Sequence, residues 1–197
     1  MIESIILVER AWGWINALKA CLDIEKFKTS CKSEERNCGR CKAELLSKLL
    51  IYSVLYGVFS INYIDLVVPG SNVPGYHLWL LIAYFAPFIP LLLLFGFEDW
   101  ELVGGLGLTA SLMNDIFYYP TGMLLLRTSV NLSEWYLFQF GFKGFDVWWS
   151  FNAGFFTIPV TSLLMGLTIY LRIGIVVALI YKWWNYKRTC NKLTSIT

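Results

Sequence analysis

One histidine, His77, is present among 197 residues. That leaves no bis-histidine haem within this chain and no multi-histidine copper or zinc catalytic centre, since each needs several imidazoles. Charge is scarce too. Asp, Glu, Lys and Arg make up 15% of the sequence, below the roughly 25% of an ordinary soluble domain. The sequence has no Walker loop, no dinucleotide-binding glycine fingerprint after a strand, no Gly-x-Ser-x-Gly elbow and no His-Glu-x-x-His helix. It shows no inverted repeat of the transporter kind. Catalytic activity of its own is therefore not expected. The formal net charge of +2 carries no argument about nucleic acid, and no nucleic-acid partner is expected.

What the chain has in excess is apolar surface. Hydrophobic residues reach 57%, aromatics 17%, and the mean hydropathy is +0.57. An all-α integral membrane protein is the class this composition predicts. Four runs approach the roughly 20 apolar residues that a bilayer requires. They extend from Leu46 to Val68, Tyr76 to Phe97, Leu102 to Leu126 and Ala153 to Trp184. Pro87 and Pro90 should kink the second, and the fourth, longer than a bilayer requires, should tilt, kink near Pro159 or project out. A membrane domain over 45–186 would thus follow a polar segment, 1–44, and precede a tail, 187–197.

The basic residues set the expected orientation. Nine of the sixteen Lys and Arg lie in residues 1–48, and Lys182, Lys187, Arg188 and Lys192 cluster at the end of the fourth run. Both termini are then cytoplasmic in a multi-pass protein of the cell membrane, which requires an even number of spans. Residues 2–24 do not read as a secretory signal, because Glu3, Glu9 and Arg10 interrupt the apolar run. Wound as a helix they are amphipathic, suited to a membrane interface or to packing on the spans or a partner.

Cys21, Cys31, Cys38 and Cys41 fall in this polar segment, with Cys38-Gly39-Arg40-Cys41 as its sharpest motif. Four thiolates suit a tetrahedral structural zinc. Unlinked thiols, disulfides and a membrane thiol redox pair are the other readings.

Two ionisable groups sit in mid-run, Asp115 and Arg172. An ionised side chain there costs at least about 2.5 kcal/mol, so each needs a partner or a function. Asp115 lies 13 residues from Leu102, about 20 Å along a helix, and Arg172 lies 12 from Trp184, about 18 Å. The two are expected to meet at one level, as a lock between spans or as a gate or relay. Gly104, Gly107, Ser111, Asp115 and Tyr118 recur at helical steps and predict a close helix-contact face. Asn114 is placed to add a hydrogen bond. Asn62, Asp65 and His77 are placed to form a polar cluster or to meet headgroups.

Glu98, Asp99 and Glu101 read as helix caps, with a divalent-metal site as the other reading. The segment 127–152 carries Trp135, Tyr136, Phe138, Phe140, Phe142, Phe145, Trp148 and Trp149. It is expected outside the membrane as an aromatic interfacial lid or a docking surface, with a short helix starting at Ser133 and Glu134. Asn131-Leu132-Ser133 matches a glycosylation acceptor. Together these features lead to the expectation of a small subunit or scaffold in a larger membrane assembly. Its partners would be the lipid bilayer and other membrane subunits or further copies of itself. A transporter or channel using Asp115 and Arg172 is the alternative, and a thiol redox enzyme a weaker one.

Overall fold

A computed structural model of the chain describes residues 38–68, 76–127, 129–152 and 157–185. The amphipathic segment 2–24, Cys21, Cys31 and the tail 187–197 lie outside the described residues. The first helix, α1, runs Cys38–Leu55, passes through a π-helical turn, Tyr56–Ile61, and continues as α2, Asn62–Val67. It begins well before the expected Leu46, so the Cys38-to-Cys41 motif is wound into its first turn. In the wide turn the Asn62 amide reaches back five residues to the Gly57 carbonyl.

The second run is divided. Helix α3, Tyr76–Phe85, and helix α4, Ile89–Phe95, are separated by a turn at 86–88. Pro87 cannot donate to the ladder, and Pro90 fits the first turn of α4, where its missing N–H costs nothing. The two prolines therefore break the helix where a kink was expected. Gly96 then takes φ 94°, a left-handed value open to glycine, and a short 3₁₀ turn, Phe97–Asp99, leads on.

Helix α5, Trp100–Leu126, is the axis of the fold. It packs against α1, the π turn, α2, α3 and α4, and against both later helices. Small residues make this central position accessible. A Cβ on Gly57 would stand 2.3 Å from the Ala110 carbonyl oxygen, so the π turn and α5 touch backbone to backbone.

Helix α6, Leu132–Gln139, starts one residue earlier than expected, with Asn131 as its cap accepting from the Glu134 amide at 3.4 Å. A hairpin follows, β1 Val147–Asn152 paired antiparallel with β2 Thr157–Thr161. The fourth apolar run was expected to be helical from Ala153, yet α7 spans only Ser162–Asn185. The β-branched residues of Thr157-Ile158-Pro159-Val160-Thr161 favour an extended chain. Pro159 is tolerated in a two-stranded ribbon, which has free edges.

The described chain is mostly helical. Two of its segments, Lys42–Val67 and Ser162–Asn185, are long and apolar enough to cross a membrane, with 22% and 11% of their most apolar stretches buried. Helix α5 is built differently, with Leu102, Leu106 and Ala110 fully buried.

Candidate functional site: a polar interior in half of the bundle

The packed interior divides into two chemistries. Around the first turns of α1 and α5, Leu45, Leu49, Phe88, Leu91, Leu102 and Leu106 form an apolar core closed by Trp183. Its rim is tied by charge. Lys42 Nζ donates to the last carbonyls of α7, Trp184 at 3.1 Å and Trp183 at 3.4 Å, where a cation suits the helix dipole. Trp183 Nε1 donates to Asp99 at 2.9 Å, and Lys182 pairs with Glu101 at 2.9 Å. Asp99 occupies the cap position of α5 and Glu101 its first turn, where negative charge is favoured, although the Asp99 side chain makes no cap bond and both carboxylates also reach α7. Among the described residues no His, Cys, Asp and Glu side chains gather as a metal site.

Beyond Ala110 polar side chains enter the interior among buried apolar ones such as Ile61, Leu80 and Ile169. Arg172 on α7 donates through Nη2 to Asp115, through Nη1 to Ser111 Oγ at 2.9 Å and through Nε to the Thr168 carbonyl at 3.1 Å. All three guanidinium nitrogens are thus engaged. Gln139 of α6 is fully buried and donates to the Asp115 carbonyl.

A second group of side chains adjoins this pair. Tyr84 donates to Asn114 Oδ1 at 2.5 Å, and Asn114 Nδ2 donates to Asn62 and, at 3.3 Å, to Asp65. Asn62 Nδ2 donates to the Val58 carbonyl at 3.0 Å and to Thr121 Oγ1 at 3.2 Å, while Tyr76 donates to Asp65 Oδ1 at 2.6 Å. Asn62 and Asn114 are 0% and 1% exposed, which only complete hydrogen bonding makes affordable. Ser111 also neighbours the Tyr84 phenol, so the two groups adjoin. The Arg172 guanidinium meets the Asp115 carboxylate, while the second carboxylate, Asp65, is held by Tyr76 and Asn114.

The glycine face expected on α5 is divided among neighbours. A Cβ on Gly104 would meet Leu179 of α7 at 3.2 Å, whereas one on Gly107 would strike the Phe85 ring of α3 at 2.3 Å. Ser111 and Asp115 turn to Arg172, and Tyr118 meets Tyr119 edge to face at 5.2 Å. A helix surrounded on all sides does not dedicate one stripe to one partner. Gly57, close to Ala110, and Gly105, close to Ile180, lie outside the Gly104-Gly107-Ser111 steps that the sequence marks.

The side chains of Cys38, Cys41 and His77 lie outside the described residues, as do those of Cys21 and Cys31. In the aromatic segment, Trp135 and Phe138 are buried, and Trp135 packs on Tyr119 of α5 at 4.5 Å. Phe142 and Phe145 stay exposed, so the segment is part core and part surface. Comparison with protein families, with characterised proteins and with solved structures finds no match for this chain.

Proposed function

We propose that the protein crosses a bilayer four times, with both ends cytoplasmic, and acts by association as a small subunit or scaffold of a larger membrane assembly. The observation that carries this reading is the apolar outside of the bundle. Ile51, Leu55 and Phe59 on the first long segment, and Leu167, Leu171 and Val177 on the last, stand open to their surroundings. An apolar area of that extent calls for lipid or a partner. Inside, the polar side chains bond to one another and to backbone carbonyls, which suits a fixed framework. The Lys42–Trp183 end then faces the cytoplasm, and α6 with the hairpin lies at the outer surface.

Alkaline carbonate extraction tests insertion, and native mass spectrometry of the gently extracted protein tests association. Retention in the membrane with stoichiometric companion chains is expected. An isolated monomer or a homo-oligomer overturns the subunit reading in favour of transport. One feature supports that second reading: the surplus carboxylate in the outer half of the interior, since intramembrane acids often serve ion pathways. Exchanging the pair, Asp115→Arg with Arg172→Asp, separates them. A framework keeps its fold and its companions after the exchange, whereas a pathway folds and loses flux.

A further inference from the structure

A hollow of about 450 Å³ opens between α6 and the turn that leads into β1. Glu134, Lys143 and Asp146 line it, with Trp135 and Phe138 among its apolar walls. Lys143 Nζ stands 3.9 Å from Glu134 Oε1, too far for a hydrogen bond between them. The two heads share a cavity without closing it. The frame behind them is tied to the start of α7: the Lys143 amide donates to Ser162 Oγ at 3.1 Å, the Ser162 amide to the Asp146 carbonyl at 2.9 Å, and the Leu163 amide to the Gly144 carbonyl at 2.8 Å.

The charges select the class of occupant. A simple anion would meet two carboxylates, and an apolar molecule would offer no polar contact to Asp146 or to the loose Lys143–Glu134 pair. A zwitterion with an N–H-bearing cation at Glu134 and Asp146 and an anion at Lys143 satisfies all of them. We infer that this hollow binds a phosphate ester bearing a primary ammonium group, the chemistry of a phosphoethanolamine headgroup. Phe142 and Phe145, 72% and 80% exposed beside Lys143 and Asp146 in sequence, offer apolar surface to the chains of a lipid. The binding chemistry stands apart from the membrane reading; only the lipid as its source rests on it.

The test uses the full chain in an uncharged detergent, with binding read by native mass spectrometry. Dioleoyl phosphatidylethanolamine, dioleoyl phosphatidylglycerol and soluble O-phosphoethanolamine serve as probes. The ethanolamine lipid is expected to bind roughly tenfold more tightly than the glycerol lipid, the scale of one charge-assisted hydrogen bond. The double variant Glu134→Gln/Asp146→Asn should erase that preference, while Lys143→Gln should weaken both lipids, because both carry the phosphate. Glu134 is largely exposed, so Glu134→Gln alone is a folded fallback with a smaller loss of preference. Competition by O-phosphoethanolamine supports recognition of the headgroup by itself; binding of the lipid alone supports the site with the chains contributing. Equal binding of the two lipids by the unaltered chain, or a preference that survives the double variant, overturns the proposal. A chain released by carbonate that still binds O-phosphoethanolamine loses the membrane reading and keeps the site.

Discussion

Replacing Gly57 by alanine should destabilise the protein although it improves intrinsic helix propensity. The added Cβ would stand 2.3 Å from the Ala110 carbonyl oxygen and 2.9 Å from Met113 Cβ. The first obstacle is backbone, so no rotamer change relieves it. The π turn and α5 must separate, which stretches the neighbouring bond from Ser53 Oγ to the Leu106 carbonyl, now 2.6 Å. Overpacking of this kind costs about 1–3 kcal/mol. The gain in propensity from Gly to Ala offsets at most about 1 kcal/mol, so a net loss of up to about 2 kcal/mol is expected. Gly174 is the internal control, since a Cβ there meets nothing within 4 Å. Gly174→Ala should leave stability unchanged or raise it. Equilibrium unfolding in mixed micelles, titrated with a denaturing detergent, compares the two. A Gly57→Ala protein as stable as Gly174→Ala would refute backbone contact at this crossing.

Breaking the interior pair by Arg172→Met should cost about 3 kcal/mol, and adding Asp115→Leu should restore much of it, because an orphaned charge is worse than none; the same titration measures both. Asn114→Ala removes the partner of Tyr84, Asn62 and Asp65 and should cost at least about 2 kcal/mol, visible as faster hydrogen exchange in α2 and α3. Trp183→Phe keeps the buried ring but deletes the bond to Asp99. A loss of about 1.5–3 kcal/mol is expected for a bond to a charged acceptor, checked by the shift of the unfolding midpoint.

The parts of the fold legible in the sequence were those decided by composition along one element. The run that forms α5 differed from expectation by two residues at its start, and Pro87 and Pro90 marked the interruption of the second run. The β-ribbon was hidden because Thr157–Thr161 is as apolar as the helix it precedes, and hydropathy does not separate extended from helical chain. The partners of Asn62, Asp65 and Asn114 were equally hidden. Each can bond water, headgroup or neighbour, and only the packing of α2, α3 and α5 decides which. The further contacts of the acidic cluster near α5 were hidden for a related reason: its place at a helix start is a local matter, whereas Trp183 and Lys182 arrive from a distant part of the chain.

The π turn has a consequence for the phase of the first long helix. Leu45, Leu49, Ser53, Gly57 and Ile61 are all buried, and Ile51, Leu55, Phe59, Tyr63 and Val67 are all exposed. Both rows advance by four residues at every step. In a uniform α-helix each such step overshoots a full turn by about 40°, roughly 160° over four steps, and the rows would wind to opposite sides. The extra residue accommodated between Tyr56 and Ile61 takes up much of that rotation. It lets one straight edge face the bundle and another face outward from end to end, and it brings Asn62 and Asp65 round to meet Asn114.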